Sequence, residues 1–203
     1  MIEVASLLGV SYTGKSTLAE GVVDRLADES IVADIVKKDE AMKALGRERY
    51  GEDDKSGGYS INGFFRHGEI SSHDLHDWMN KQVKASKELG HVVILEGGTR
   101  TRASQAETLE GIELDEGDFH IFMLHLPFRE VLLRAKQRRQ VTGRYDDLLP
   151  VAAAKLYGQY KGLRSSDAPQ LSDYDVTILN ASLAPTQLVG IVASGILEPK
   201  QQQ

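Results

Sequence analysis

A turn bounded by two glycines, between an apolar run and a helical pattern, constrains this chain more than any other feature. Residues 9–16 read GVSYTGKS and fit the pattern G-x-x-x-x-G-K-[ST]. The apolar run IEVASLL ends just before this turn, and a helical pattern extends from Lys15 to about residue 27. Such glycines let backbone N–H groups converge on phosphate oxygens, and the helix N-terminus adds partial positive charge. The sequence therefore predicts a strand, an anion-binding loop and a helix in direct succession.

The side chains of this loop have the chemistry that a nucleoside triphosphate requires. Lys15 can reach the β- and γ-phosphates, and the Ser16 hydroxyl can hold Mg²⁺. Thr17 is placed for a further phosphate contact. The remaining loop positions predicted to bind the phosphates are Gly9, Ser11, Thr13 and Gly14. The alternative is a plain glycine turn that leaves the lysine exposed.

Strand-like apolar runs alternate with helical patterns along the rest of the chain. Strands are expected at residues 2–8, 30–36, 91–95, 119–126 and 175–179. After the first helix, further helices are expected at residues 39–45, 72–89 (with Ser72 as the N-cap), 129–139, 149–163 and 185–194, and a loop at 46–60. This alternation predicts an α/β fold, in which a central five-stranded parallel sheet has helices on both faces. Ligands in such folds bind at the carboxyl ends of the strands.

Length and composition narrow the classes of protein to which the chain can belong. Its 203 residues suit a single domain, and 24 Lys+Arg against 30 Asp+Glu argue against a broad nucleic-acid-binding face. The absence of cysteine excludes disulfides and thiolate metal sites. No apolar run is long enough to span a bilayer, and the first residues lack the basic segment of a signal peptide. We therefore expect a cytoplasmic protein that binds neither nucleic acid nor membrane.

Charged residues follow the third and fourth predicted strands. Glu96 ends the third strand, where it would lie beside the phosphate loop and help to hold Mg²⁺; a surface cap on the turn is the alternative. Six arginines lie near these strand ends, namely Arg100, Arg102, Arg134, Arg138, Arg139 and Arg144. Guanidinium groups stay protonated and suit the geometry of phosphate, so they would stabilise two phosphorylated ligands held close together. A solvated basic helix face is the alternative.

Two smaller features leave their alternatives open. Asp146 and Asp147 either begin a helix or belong to a closing lid whose carboxylates pair with arginines. His73 and His76 lie three residues apart, so one helix could offer both of them to a metal ion. No third ligand is visible nearby, which favours a solvated helix face instead.

Several segments resemble those of the adenylate kinase family, the P-loop nucleoside-monophosphate kinases. GVSYTGKST is similar to the family's ATP-phosphate loop, and LEGGTRTRASQAE is similar to its D-G-[FY]-P-R segment. FRHGEISSHDL is similar to the family's G-x-[LI]-V-P-x-x-x stretch, RRQVTGRYDD to its short lid, and LNASLAP to its loop near the adenine. The resemblance covers most of the chain and implies a P-loop kinase fold that uses ATP and Mg²⁺.

The resemblance implies roles for particular side chains on the acceptor side. By it, Arg100 contacts the acceptor phosphate, Gln105 contacts the acceptor base, and Glu96 takes the place of the acidic residue near Mg²⁺. An acceptor-binding insertion is expected at about residues 39–72.

Further implied roles concern the lid and the adenine. Arg134 falls where the family packs an arginine against the ATP adenine. Arg138 and Arg144 would act in phosphoryl transfer, together with Lys15 and Arg100. Asp146 and Asp147 would take part in closing a short lid at about residues 138–147.

The acceptor half departs from the family pattern. The family has S-T-G-D-x-x-R after its second strand, whereas this chain has VKKDEAM. Of the family's residues only Asp39 is kept, and we expect it to bind the acceptor. Met42 falls at the place of the phosphate-binding arginine. The charge could instead come from Lys38, Lys43 or Arg47. Lys155 falls where a further catalytic arginine is expected.

These residues predict an enzyme that moves the γ-phosphoryl group of ATP to a nucleoside monophosphate, with AMP as the first expectation. An ionised acceptor phosphate needs no general base, so catalysis would rest on charge neutralisation, in-line alignment and exclusion of water. One alternative is a P-loop kinase of another small molecule. A second alternative is a nucleotide-binding regulatory module with little turnover. The oligomeric state is left open, with a monomer as a plausible form.

Overall fold

The structure is a computed structural model that describes residues 1–50, 70–97, 102–115, 117–142, 149–163 and 176–198. Its strands are β1 (Val4–Leu8), β2 (Ala33–Lys37), β3 (Val92–Glu96), β4 (Phe119–His125) and β5 (Val176–Asn180). The described helices are α1 (Lys15–Asp28), α2 (Lys38–Tyr50), α3 (Ser72–Glu88), α4 (Arg102–Thr108), α5 (Phe128–Thr142), α6 (Leu149–Leu163) and α7 (Pro185–Leu197). Within these ranges, no helix combines the length and apolar character needed to cross a membrane.

The five strands form one parallel sheet with the order β2-β3-β1-β4-β5. Strand β1 lies at the centre, where Val4 is paired with Val93 on one side and with Phe119 on the other. The chain leaves β1 towards β2, and after β3 it crosses to β4 on the opposite side. The strand order therefore reverses at β1, and the crevice beyond its carboxyl end is where such sheets bind ligands.

Alternate residues of each central strand face opposite sides of the sheet, because side chains in a strand alternate. Ala5 and Ile94 pack in one apolar cluster, together with residues of α1 and α7 such as Leu18, Val22, Val192 and Ile196. Val4 and Val93 pack in a second cluster, with residues of α2 and α3 such as Met42, Leu75, Met79 and Val83. Helices thus cover both faces of the sheet, and the predicted fold class is confirmed.

The predicted end of α2 was wrong, and one helix was missed. Helix α2 continues to Tyr50 through the first part of the predicted loop at residues 46–60, and the rest of that loop lies outside the described residues. A glycine inside a helix costs only about 1 kcal/mol, and α2 is anchored by the buried side chains of Ala41 and Met42. The short helix α4 was not predicted at all.

The N-cap of α3 is Ser71 and not Ser72. The Ser71 hydroxyl accepts a hydrogen bond from the Asp74 backbone N–H at 3.1 Å, and the Asp74 carboxylate accepts one from the Ser71 backbone N–H at 2.8 Å. This reciprocal capping box requires an acidic or amide residue three positions after the cap. Ser71 satisfies that spacing with Asp74, whereas Ser72 would have to pair with Leu75.

Candidate phosphate-binding site

The loop between β1 and α1 has a backbone that its glycines make possible. Gly9 has φ 151°, and a Cβ added there would lie 2.9 Å from the Leu124 carbonyl oxygen and 3.1 Å from Thr13 Oγ1. Gly14, at the cap of α1, has φ 92°. Both conformations are accessible to glycine and strained for other residues. Backbone conformation therefore explains both glycines of the motif, and the close approach of β4 is a second reason at Gly9.

The N-terminus of α1 lacks the groups that usually neutralise such an end. No side chain makes a capping hydrogen bond at Gly14, and the first turn has no acidic residue. Acidic residues are present in the first turns of α2 (Asp39 and Glu40), α3 (Asp74) and α5 (Glu130), whereas α4, α6 and α7 have none there. The partial positive charge of α1 and its backbone N–H donors are thus directed to the crevice beyond β1, which suits an anion.

Lys15 and Thr13 fold back onto the same carbonyl group of the loop. Lys15 Nζ donates a hydrogen bond to the Val10 carbonyl oxygen at 2.9 Å, and Thr13 Oγ1 donates to that oxygen at 2.8 Å. Lys15 is 9% exposed and Thr13 is 2% exposed. The ammonium group is therefore held across the loop in a position from which it can exchange a carbonyl oxygen for a phosphate oxygen.

The structure brings together the two residues predicted for the metal. Ser16 Oγ donates a hydrogen bond to Glu96 Oε1 at 2.7 Å. The contact follows from the sheet, because β3 is the neighbour of β1 and Leu7 is paired with Glu96. A hydroxyl and a carboxylate at the edge of a phosphate loop are the oxygen ligands that Mg²⁺ prefers. The residues present therefore fit a magnesium ion bound with a nucleotide.

Arg134 on α5 connects the phosphate loop to the segment after β5. Its guanidinium donates to the Ala181 carbonyl oxygen at 2.7 Å and to the Thr13 carbonyl oxygen at 3.4 Å. It also lines a recess of about 240 Å³. The other residues that line the recess are Thr13, Gly14, Thr17, Leu18, Ala181, Leu183, Pro185 and Leu188. This largely apolar recess, next to the phosphate loop, has the size and chemistry for one flat ring system.

Helices α5 and α6 both contact the middle of the loop. The Arg138 guanidinium lies 5.8 Å from the centroid of the Tyr12 ring, and Lys155 Nζ lies 5.9 Å from it. Gln159 Oε1 accepts a hydrogen bond from the Ser11 backbone N–H at 2.7 Å, and Gln159 Nε2 donates to Ser11 Oγ at 2.9 Å. Sequence reasoning missed the contacts of Tyr12 and Gln159. The available signal was the spacing of Lys155 and Gln159, which are four residues apart and so share a helix face.

On the acceptor side, the predicted residues lie in different environments. Asp39 is exposed in the first turn of α2, just beyond the carboxyl end of β2. Gln105 is only 2% exposed on α4, and neither atom of its amide has a hydrogen-bond partner in the described part of the chain. Met42 is 6% exposed within the apolar cluster under α2 and α3. The place that the family gives to an arginine is therefore part of the core.

The structure does not favour any one of the three cations that could replace that arginine as the phosphate-binding residue. Lys38 begins α2, whereas Lys43 and Arg47 are exposed further along the same helix. Arg47 Nε donates a hydrogen bond to the Lys43 carbonyl oxygen at 3.3 Å, which is a contact within the helix.

Several predicted residues lie outside the described part of the chain. They are Arg100, Arg144, Asp146 and Asp147, together with residues 51–69 of the expected insertion and residues 143–147 of the expected lid. Their roles stay predictions.

The two histidines of α3 do not share a solvent-exposed face of the helix. His73 is exposed, but His76 is only 5% exposed and its Nδ1 contacts the Glu107 carboxylate on α4. His76 thus joins α3 to α4, and the expectation of a solvated pair was wrong for this residue.

At the opposite end of the sheet, His91 Nδ1 lies 2.9 Å from Asp34 Oδ2, and this hydrogen bond is the main cause that lowers the pKa of Asp34.

Comparison with known proteins gives a likeness of fold. No protein-family model and no curated protein matches the sequence. A sugar kinase from Janibacter sp. HTCC2649 is similar in structure with a TM-score of 0.56 at 18% identity, over 96% of this chain and 94% of that one. A gluconokinase from Sinorhizobium meliloti 1021 is similar with a TM-score of 0.59 at 13% identity, over 95% of this chain and 90% of that one. The fold is therefore one that kinases share, and the narrower resemblance to adenylate kinases stays a prediction.

Proposed function

We propose that this protein is an ATP-dependent kinase of a small polar molecule. The observation that carries the proposal is the arrangement beyond the carboxyl end of β1. There, Lys15 crosses the phosphate loop at 2.9 Å from the Val10 carbonyl oxygen, and Ser16 contacts Glu96 at 2.7 Å. The same groups serve both to bind a triphosphate and to stabilise the charge that develops during transfer of its terminal phosphoryl group.

The donor nucleotide would bind with its phosphates on the loop and its base in the adjoining recess. The N–H groups at the start of α1 and the Lys15 ammonium would hold the phosphates, and Arg134 would lie against the base. Ser16 and Glu96 would hold Mg²⁺, which when bound neutralises charge on the β- and γ-phosphates. Contacts from α5 and α6 would keep the loop fixed while the nucleotide exchanges.

For the acceptor, we favour a molecule that offers a hydroxyl group, such as a sugar or a sugar acid. Met42 is a core residue, so the second phosphate pocket of a monophosphate kinase loses an expected cation. The similar structures include a sugar kinase and a gluconokinase. Asp39 offers an exposed carboxylate beyond β2, next to the strand that ends in Glu96. It would take the hydroxyl proton as the new oxygen–phosphorus bond forms and the bond to the leaving ADP oxygen breaks.

A nucleoside monophosphate is the second candidate acceptor. The observation in its favour is the Arg138 guanidinium beside the phosphate loop, because an arginine at that place suits two phosphorylated ligands held end to end. An ionised phosphate acceptor would need no general base, so the two candidates predict different consequences of removing the Asp39 carboxylate.

A coupled assay of ADP release separates these possibilities. Gluconate, other sugar acids and free sugars are compared with AMP, CMP, UMP, GMP and dTMP, with wild-type protein and with Asp39→Asn. We expect the highest kcat/KM for a hydroxyl acceptor, and a loss of about a hundredfold in Asp39→Asn. A monophosphate as the best acceptor, with Asp39→Asn unaffected, would favour the second candidate. ATP binding without turnover of any acceptor would favour a regulatory module and contradict the proposed kinase activity.

A further inference from the structure

Tyr12 has a backbone conformation that is unfavourable for a residue with a side chain. Its φ is 67°, in the left-handed region, where the Cβ atom crowds the following carbonyl group. The neighbouring special positions of the loop, Gly9 and Gly14, are glycines, which enter that region freely. Non-glycine residues in this region persist where the surrounding structure holds them, and they are concentrated at functional sites. Contacts with the surrounding structure therefore hold Tyr12 in this conformation.

Those contacts include two cations, one from each of two helices. The Arg138 guanidinium on α5 lies 5.8 Å from the centroid of the Tyr12 ring, and Lys155 Nζ on α6 lies 5.9 Å from it. Both distances are within the range of about 6 Å in which a cation is attracted to the negative face of an aromatic ring. The same ring packs, partly buried, against the larger apolar cluster of the protein. The ring thus packs on the core and also attracts positive charge from two separate helices.

The surrounding contacts show that this is a connected arrangement. Arg134 lies one helical turn before Arg138 and donates to the Thr13 carbonyl oxygen. Gln159 lies one turn after Lys155 and bonds to Ser11. Three successive loop residues are therefore contacted by helices α5 and α6.

We propose that Tyr12 is a positioning residue, whose ring holds Arg138 and Lys155 against the phosphate loop before the polyanionic ligands bind. This inference rests on the proposed kinase function. Two like charges near one point repel each other, and the ring offsets that repulsion at the place where negative charge will arrive. Charges that are already in position need no rearrangement at the moment of phosphoryl transfer, which is where they lower the barrier.

The first test compares two substitutions with the same backbone cost. Tyr12→Phe keeps the ring, whereas Tyr12→Leu removes it but keeps an unbranched Cβ in the left-handed region. We expect Tyr12→Phe to keep kcat within about twofold and Tyr12→Leu to lower it by about tenfold, since two cation–π contacts are lost. The KM for ATP should change by less than about twofold in both. Equal kcat in the wild type and Tyr12→Leu, or an equal loss in Tyr12→Phe, would overturn the proposal.

A second test asks whether Tyr12 acts through the two cations. In a background that carries Arg138→Met and Lys155→Met, Tyr12→Leu should reduce the remaining kcat by less than about twofold, because coupled residues are not additive. A further tenfold loss in that background would show that the ring acts by another route and would overturn the proposal.

A third measurement does not depend on turnover. In protein labelled with ¹⁵N-arginine, the side-chain Nε–H signal of Arg138, assigned with Arg138→Lys, should move when Tyr12 is changed to Leu and stay in place when it is changed to Phe. An unchanged signal in Tyr12→Leu would contradict the ring contact. If the wild type transfers phosphate to no acceptor, the proposed function fails, while this signal still decides whether the ring holds the guanidinium.

Discussion

The two halves of the proposed site, the donor half around the phosphate loop and the acceptor half around α2 and α4, differ in the contacts that their side chains make. In the donor half, Ser11, Lys15, Ser16 and Arg134 each make a side-chain hydrogen bond that joins separate parts of the loop or separate elements. In the acceptor half, Met42 lies in the core, and the buried amide of Gln105 has no partner among the described residues. Among the described residues, the proposed donor half is thus tied together by hydrogen bonds, whereas the proposed acceptor half contains a buried amide that makes none.

This difference has a simple physical basis. Every triphosphate presents the same charges and the same spacing, so a loop that binds it is fixed by local geometry. An acceptor contributes its own shape and hydrogen bonds, and these can be matched by many arrangements of side chains. We therefore expect changes in the donor half to abolish turnover with every acceptor, and changes in the acceptor half to alter the choice of acceptor.

The largest expected effect is that of Lys15→Met. The substitution keeps an unbranched, buried side chain that is one atom shorter and removes its charge, so kcat should fall by about a thousandfold with all acceptors. The free energy of unfolding in urea should stay within about 1 kcal/mol of the wild-type value. Turnover close to that of the wild type would contradict the role assigned to the donor half.

Gly9→Ala tests whether the loop geometry is as constrained as the donor half requires. The new Cβ would lie 2.9 Å from the Leu124 carbonyl oxygen at a positive φ, so the free energy of unfolding should fall by about 3 kcal/mol in urea titrations. Gly158→Ala is the matched control, because the new Cβ on α6 would meet no atom within 4 Å apart from its chain neighbours and the backbone of its own helix. Gly158→Ala should raise the free energy of unfolding by about 0.5 kcal/mol. Equal effects at the two glycines would contradict the close packing of Gly9 on β4.

Gln105→Met sharpens the contrast from the acceptor side. Removing a buried amide that lacks partners should raise the free energy of unfolding by about 1 kcal/mol. If the amide binds the acceptor, the KM for the acceptor should rise by about tenfold while the KM for ATP is unchanged. Gln82→Met, at an exposed position on α3, is the control and should change neither constant. A rise in the KM for ATP would contradict the division of the crevice into two halves.

The smallest expected effect lies outside both halves, at Asp34. The hydrogen bond from His91 lowers the pKa of Asp34 below its ordinary value of 3.8, so the folded protein binds this proton less readily than the unfolded chain. The resulting stability is present above pH 3.8 and is lost as the pH falls through the lower pKa of the folded state. Asp34→Asn should therefore reduce the free energy of unfolding by about 0.5 kcal/mol at neutral pH. The difference should disappear in strongly acidic solution, and a difference that is independent of pH would contradict this assignment.

The geometry of the phosphate loop could be predicted largely from the sequence because it is local. The spacing from Gly9 to Ser16 fixes a loop and a helix start, and the order of strands in such sheets brings Glu96 beside Ser16. The contacts of Tyr12 and Gln159 could not be predicted, because they depend on where α6 packs, more than a hundred residues along the chain.

The distinction between local and long-range contacts also explains which parts of the fold agreed with the sequence-based expectations and which did not. The alternation of apolar runs was sufficient to predict the five strands and their parallel arrangement. The end of α2 was not predictable, because beyond Gly46 the helix is joined to α3 by an ion pair between Arg49 and Asp74 at 3.1 Å, a contact between separate elements. The identity of the acceptor is the least local property of all, since it depends on groups from several separate elements.

The most direct test of the central claim is a calorimetric titration of the protein with ATP at low and high Mg²⁺, with wild-type protein and with Glu96→Gln. We expect one ATP bound per chain, with an affinity that rises by about tenfold with Mg²⁺ in the wild type and stays nearly constant in Glu96→Gln. Absence of ATP binding, or an affinity that rises with Mg²⁺ equally in both proteins, would contradict the assignment of Lys15, Ser16 and Glu96 to a phosphate site.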